Sequence, residues 1–288
     1  MLMNYYSKSV DVVIPTLNGK KLYKTVESLN YGTIKPKNII CVYFYKFNFN
    51  LYKKKFKNIQ FIKGKVKNQV QQRLQGFKYV KSSLILQLDD DIILKRNTLS
   101  LLLKYKSKLG KRSVVGPTYL NSKNKPLHNF ESNNNFFSNI YKCLICDAKY
   151  GSKKIGTITS IGLAYGINTK TNKNFLRCQW LPGGCILFSK YLLKIKFDKI
   201  FFKNKSFCED IFFSLQRNMK KFIHYTVVNS IVYTDTSREK FSLSFFIDEI
   251  KIRRNLIKYT KGNVFRFYLW SILEFLNRFF YKKLFPNN

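Results

Sequence analysis

Ser83-Leu84-Ile85-Leu86-Gln87-Leu88 is a short, mostly apolar run that ends in three consecutive carboxylates, Asp89, Asp90 and Asp91, before Ile92-Ile93-Leu94. The run has the length of a buried parallel strand and shows no sustained alternation. Its polar end is therefore expected at the carboxyl edge of a sheet, where open α/β folds bind ligands. Three adjacent aspartates repel one another, which costs free energy unless a cation compensates. With 15 acidic residues against 53 basic ones, three together stand out from the background. A divalent metal that also holds a phosphate is the natural compensator, because hard cations take carboxylate and phosphate oxygens together. The plainer reading is a solvated turn with Lys95 and Arg96 as basic neighbours.

A chain of 288 residues can bury one large α/β core or a core with a small appendage. A hydrophobic fraction of 45% and an aromatic fraction of 17% argue against disorder. The formal charge of +38 predicts attraction to polyanions: nucleic acid, anionic lipid or phosphorylated substrates. The lysines are spread along the whole chain and not gathered in the stripe that nucleic-acid binding requires, so no specific nucleic-acid partner is expected. Of the six cysteines, Cys41 and Cys185 lie in apolar runs and read as small buried hydrophobes. Cys143-x-x-Cys146 has no second pair or histidine at zinc spacing. The start, Met1-Leu2-Met3-Asn4-Tyr5-Tyr6, lacks a charged region followed by an apolar core. No secretory signal is expected, and a cytoplasmic location with reduced thiols follows.

Read in order, Val10 to Ile14 is a buried strand ending in Pro15-Thr16-Leu17-Asn18-Gly19, with Asn18 placed to cap a helix over roughly residues 19–30. Strands are expected over Asn38 to Phe44 and Ile59 to Ile62. A helix over Val66 to Val80 follows, with Val70, Leu74 and Phe77 inward and Gln69, Gln72 and Arg73 on a neighbouring face. After the aspartates, Asn97 caps a helix from Thr98 to Leu109, and Ser113 to Tyr119 is another strand. This alternation predicts an α/β fold with a mostly parallel central sheet flanked by helices. Residues 122–177 are rich in Asn, Ser, Lys and Gly and read as an insertion or a loop region beside the acceptor. Pro182-Gly183-Gly184 marks a bend after Trp180, and Cys208-Glu209-Asp210-Ile211 opens a helix to about Met219. Tyr225 to Tyr233 is a strand, and a helix runs from about Phe241 to Tyr259.

Asn263 to Phe285 reads as a last, amphipathic helix, with Phe265, Leu269, Ile272, Leu276 and Phe279 on one face. Phe267 and Trp270 fall on its otherwise polar side. No uncharged run here approaches the length of a spanning helix. The helix either packs on the domain or lies in a membrane interface, and its aromatic residues and lysines favour a peripheral contact with an anionic membrane, on the inner face of the cytoplasmic membrane. The division expected is a domain over residues 1–260 and this helix over 261–288.

Together the motifs are similar to those of the family-2 glycosyltransferases of GT-A fold. The resemblance spans roughly residues 9–260. It rests on Val12-Val13-Ile14-Pro15-Thr16-Leu17-Asn18, Leu88-Asp89-Asp90-Asp91, Trp180-Leu181-Pro182-Gly183-Gly184 and Cys208-Glu209-Asp210. It implies an inverting, hexosyltransferase-like transfer of a sugar from a nucleoside-diphosphate donor to a hydroxyl of a saccharide or lipid-linked acceptor, in cell-surface polysaccharide synthesis. Asp91, with Asp89, would hold Mg²⁺ or Mn²⁺ on the donor diphosphate, and Asp90 would face the donor ribose or sugar. Asp210 would be the general base and Glu209 would orient the base or the acceptor. Pro15, Thr16 and Asn18 would line the nucleotide pocket, and Arg73 would meet phosphate or base. Gly183 and Gly184 would let backbone N–H groups approach the substrates, with Trp180 as a wall for a sugar ring.

Two departures stand out. Family members often carry an acidic residue after the second strand, where this chain has Val42-Tyr43-Phe44-Tyr45-Lys46. Many also place a histidine after the last strand, where it has Ile231-Val232-Tyr233-Thr234-Asp235, and neither His128 nor His224 fits. Two competing readings remain at this point. A nonenzymatic polyanion-binding protein accounts for the charge but leaves the acidic motifs unexplained. A sugar nucleotidyltransferase would show a glycine- and arginine-rich first loop, which Pro15-Thr16-Leu17-Asn18 is not.

Overall fold

A computed structural model of the chain describes residues 9–127, 136–147, 156–167, 169, 171–194, 208–234 and 242–284. It divides into two compact units, Met1–His128 with Thr169–Asp235, and Asn129–Asn168 with Thr236–Asn288.

The first unit is built on a sheet. Its strands are β1 (Val10–Thr16), β2 (Asn38–Tyr43), β3 (Ile59–Lys63), β4 (Leu84–Leu88), β5 (Ile93–Leu94), β6 (Ser113–Leu120), β7 (Phe175–Cys178), β8 (Cys185–Ser189) and β9 (Ile223–Tyr233). The spatial order is β3-β2-β1-β4-β8-β6-β9-β5, with β7 paired to β9. The half carrying β3, β2, β1 and β4 is parallel, as continuous apolar runs predict. Beyond β4 the pairing is mixed: β8 runs antiparallel to both β4 and β6, while β6 and β9 are parallel. Every residue of β1 and of β4 is buried, so the end of β4 opens from the middle of the sheet.

Helices α1 (Leu22–Asn30), α2 (Asn50–Lys55), α3 (Gln69–Phe77), α4 (Thr98–Lys108) and α6 (Glu209–Met219) belong to this unit. Leu22, Thr25, Val26 and Leu29 form the buried stripe of α1. Asn18 does not cap α1. Its side chain accepts from the backbone of Lys20, and α1 begins at Leu22 with no side-chain cap. The competing local bond closes a tight turn one step before the helix. On α3, Asn68 is a true N-cap and accepts from Gln71 N at 3.0 Å. A Cβ on Gly76 would sit 2.5 Å from Val13 Cγ1, so only glycine lets α3 lie this close to β1. That approach carries Arg73, one turn earlier, over the sheet.

The second unit contains α5 (Phe136–Leu144), α7 (Leu243–Thr260) and α8 (Val264–Leu284). Its core joins Cys146, Ile161, Ile257, Phe267 and Trp270. All six cysteines are free, and Cys41 and Cys185 are buried. Among the described residues no helix is long and apolar enough to cross a membrane.

Candidate active site

The carboxyl end of β4, the bend at residues 182–184 and the first turn of α6 meet around one side chain, Arg73. Its guanidinium is 2% exposed. Nη2 donates to Asp89 Oδ1 at 2.5 Å and Nη1 donates to Glu209 Oε1 at 3.2 Å. Two acidic segments 120 residues apart in sequence (positions 89 and 209) are thereby tied to one cation. Burial opposes the charge on Arg73, but Asp89 and Glu209 raise its pKa all the same. The fork expected on phosphate or base is therefore engaged by carboxylates.

The glycines explain how close these segments come. A Cβ on Gly183 would lie 3.4 Å from Asp210 Cβ and 3.7 Å from Arg73 Nη1. One on Gly184 would lie 2.6 Å from Ile92 Cδ1 and 3.1 Å from Asp89 Oδ2. The bend is held from three sides. Gln87 Nε2 donates to Gly183 O, Tyr119 OH donates to Pro182 O at 3.3 Å, and Leu181 N donates to Ser214 Oγ at 3.3 Å. Trp180 is buried.

Each aspartate of the triplet has a different environment. Asp89 accepts from Gln69 Nε2 at 2.9 Å as well as from Arg73. Asp90 accepts from the Thr16 hydroxyl at the end of β1, and its backbone carbonyl accepts from Thr25 Oγ1 at 2.9 Å. Burial, with repulsion from Asp89 and Asp91, pushes the Asp90 carboxyl up to about 6. Asp91 is partly exposed and pairs with Lys21 at 3.5 Å. Its pKa is raised by burial and by Asp89, against the pull of Lys21. Pro15 and Thr16 are buried in β1, and Asn18 is exposed in the turn that follows.

Glu209 and Asp210 open α6 behind Cys208, whose φ of 56° is left-handed and strained for a residue with a side chain. Asp210 Oδ1 accepts from Ile211 N at 2.8 Å. Burial raises the Glu209 carboxyl to about 7, and Asp210 and Asp89 add to the rise while Arg73 opposes it. A contrast lies at the other end of β1. Buried Asp11 is pulled down, because bonds from Ser82, Lys81 and Asn38 outweigh its burial.

Beside Asp91 lies a cavity of about 610 Å³ lined by Lys20, Lys21, Lys24, Tyr233 and Thr234 among others. These lysines fall outside the motifs, and only their clustering at positions 20, 21 and 24 near a helix start could have singled them out. Gln69 and Gln87 were also missed as partners. A row of glutamines beside an arginine on α3 is the signal for the first of them. Arg217, on α6, is buried, and among the described residues its Nε and Nη1 have no hydrogen-bond partner. Phe188 and Phe213 lie 5.6 and 5.8 Å from it. His224 is buried and bonded to Asn218, and burial drives its pKa down to about 3. His128 and Asp235 lie outside the described residues.

Among the described residues no group of three His, Cys, Asp or Glu side chains could hold a metal ion. The donor set still fits a cation shared with a ligand. Asp89 Oδ2 lies beside the bend, 3.1 Å from where a Cβ at 184 would stand, and Asp91 lines the cavity with its carboxyl pKa raised despite Lys21. Mg²⁺ commonly takes one or two carboxylates and completes its shell with water and phosphate oxygens.

The fold has counterparts among known proteins. Among solved structures, GalNAc-T7 crystallised with UDP, GalNAc and Mn²⁺ superposes with a TM-score of 0.62 at 15% identity, covering 81% of this chain and 44% of that one. This chain thus spans less than half the length of that relative. S. aureus TarS 1-349 superposes with a TM-score of 0.53 at 15% identity, covering 97% of this chain and 73% of that one. No curated protein sequence matches significantly. These likenesses establish the GT-A fold, and the model of the family "Glycosyl transferase family 2" matches residues 11–177. The chain belongs to glycosyl transferase family 2.

Proposed function

We propose that the protein moves a sugar from a nucleoside-diphosphate donor to a hydroxyl of a saccharide or lipid-linked acceptor, with inversion, in cell-surface polysaccharide synthesis. The observation that carries this reading is the Arg73 bridge. It ties Asp89 and Glu209 to one guanidinium, with Asp210 against Gly183. The acceptor oxygen attacks the anomeric carbon while its proton passes to the Asp210 carboxylate. The bond from that carbon to the phosphate oxygen breaks, and the nucleoside diphosphate leaves with the electron pair. Glu209, fixed by Arg73, orients the acceptor side. Asp90, Thr16, Pro15 and Asn18 line the nucleotide side. Lys20, Lys21 and Lys24 supply positive charge beside the diphosphate. Mg²⁺ or Mn²⁺ on Asp91 and Asp89 would offset charge on the leaving group. The Mn²⁺ and UDP held by GalNAc-T7 support this assignment. Arg73 acts here as a positioning residue and not as a donor contact.

The test is thermal stabilisation by a panel of nucleoside diphosphates with and without Mn²⁺, followed by hydrolysis of the matching nucleotide sugars. A Mn²⁺-dependent rise in Tm with at least one diphosphate is expected. Stabilisation by DNA at low salt, but by no nucleotide with metal, would overturn the reading in favour of simple polyanion binding.

A further inference from the structure

Helix α8 has two apolar faces, and among the described residues one of them packs within its unit while the other is exposed. Phe267 and Trp270 are 0% and 4% exposed and pack with Cys146, Ile161 and Ile257. Ser271 donates to Phe267 O at 2.7 Å on the same side. Glu274 and Arg278 continue this side and pair with each other at 2.7 Å, while Arg278 also reaches Glu249 of α7 at 3.1 Å. The Arg253 guanidinium covers the Trp270 ring at 5.4 Å. This explains the two aromatic residues that spoil the polar side in the sequence pattern: they are the packing face.

The opposite face carries Phe265, Tyr268, Ile272, Leu276 and Phe279, spaced three or four residues apart. All are exposed, from 79% at Phe265 and 59% at Ile272 to 40% at Tyr268. At about 100° per residue they fall within roughly one quarter of the helix circumference, and they run for about 21 Å along the axis. A continuous exposed apolar row of this kind marks an interaction site.

We infer that this row docks α8 lengthwise on an anionic lipid surface. Charge complementarity selects the occupant. The chain carries a formal +38, which draws it to an anionic bilayer and opposes close approach of a second copy. The same unit presents an exposed basic row on α7, Lys251, Arg254 and Lys258, again at helical spacing. Phe and Tyr suit the zone between headgroups and acyl chains, where one end of a ring is apolar and the other wet. No described helix is long and apolar enough to cross a membrane, so α8 lies in the interface and does not span it. The inference is independent of the catalytic reading.

The experiment is co-sedimentation of the full chain with vesicles of neutral phosphatidylcholine, or of the same lipid with one third phosphatidylglycerol. At least tenfold stronger partitioning to the anionic vesicles is expected. The triple variant Phe265→Ser, Ile272→Ser and Leu276→Ser should lose at least tenfold of it with an unchanged Tm, because the three side chains are exposed. A second variant, Phe265→Trp, keeps the row apolar, and its added emission should shift to the blue on anionic vesicles. Unchanged partitioning of the triple variant would mean that charge alone binds the lipid and would overturn the inference. So would an absent spectral shift. A chain that self-associates through this row, and becomes monomeric in the triple variant without any change in vesicle binding, would overturn it in favour of a homo-oligomer interface.

Discussion

Each unit of the molecule contains a network of arginines and carboxylates, and the two behave in opposite ways. In the second unit Arg253 and Arg278 share Glu249, and Arg278 also holds Glu274. Two cations meet two anions, and although burial alone would raise it, the Glu249 carboxyl is pulled below its ordinary value. In the first unit a single arginine, Arg73, serves both Asp89 and Glu209, with Asp210 adding its charge to Glu209. There the Glu209 carboxyl is pushed up to about 7. Similar side chains give opposite shifts because at Glu209 burial first, and then a surplus of repulsion from Asp210 and Asp89, outweighs Arg73, whereas at Glu249 two arginines outweigh burial. A balanced network holds helices together. A surplus is what a cation, a proton or a cationic transition state is needed to settle, and perturbed carboxylates in a cleft are candidate functional groups on that ground.

The largest effect expected from breaking this asymmetry is chemical. Asp210→Asn keeps the size of the side chain and removes its basicity. Loss of a positioned general base typically lowers turnover by about 10²–10⁴-fold. Transfer should fall by about a thousandfold, with donor affinity within about threefold of the parent. Single-turnover transfer and equilibrium donor binding, measured side by side, check this; undiminished transfer removes Asp210 from its role. Next comes stability. Arg73→Gln leaves two partly buried carboxylates without their shared cation and should cost about 3 kcal/mol. Arg278→Gln removes a side chain that is 36% exposed, so its loss should be nearer about 1 kcal/mol. Denaturant unfolding of the pair gives the ranking. Equal losses would mean that the two networks are of one kind.

The pieces of the site were legible because each is a local pattern. An apolar run broken by Asp89, a Gly183-Gly184 bend and an acidic helix start can each be read within a dozen residues. What was illegible depends on long-range pairing. Nothing in the run Cys185–Ser189 announces that it inserts antiparallel between β4 and β6. The two-residue β5, the four-residue β7 and the six-residue α2 are too short to show a period. Arg73 sits among glutamines on a face beside the apolar stripe of its helix and so reads as a contact to phosphate or base. Its burial follows only when residues 89 and 209 arrive from elsewhere to neutralise it. Trp180 reads from sequence as a wall for a sugar ring, and its burial shows only in the folded chain.

The two networks should also cross in their response to pH. A folded-state pKa raised to about 7 means that Glu209 keeps its proton in the native chain after the unfolded chain has released it, above its ordinary value of 4.5. Native stability from this group is complete below about 4.5 and declines as pH rises toward 7. Glu249 has the reverse sign: its contribution is present above its ordinary 4.5 and is lost as pH falls through its lowered native value. Glu209→Gln should therefore gain on the parent by about 2 kcal/mol between pH 4.5 and 7, while Glu249→Gln should lose ground at neutral pH and recover in acid. Urea midpoints of both variants across that range check the signs. Two parallel profiles would remove the asymmetry.

A modest effect on ligand binding concerns the cation, and it sharpens the comparison most directly. Asp91 carries part of the surplus: burial and Asp89 raise its pKa, and partly exposed Lys21 offsets this incompletely at 3.5 Å. A divalent ion shared with a diphosphate would complete that offset, so Asp91→Ala should weaken nucleoside-diphosphate binding about tenfold in the presence of Mn²⁺, equivalent to about 1.4 kcal/mol. Without metal the sign should reverse or vanish, because the same substitution removes a negative charge that repels phosphate next to Lys20, Lys21 and Lys24. Titration of UDP and GDP into parent and variant, each with Mn²⁺ and with a chelator, separates the two contributions. A variant that retains the full Mn²⁺-dependent gain in affinity would show that the surplus charge of the triplet is settled by the protein's own lysines and not by a metal.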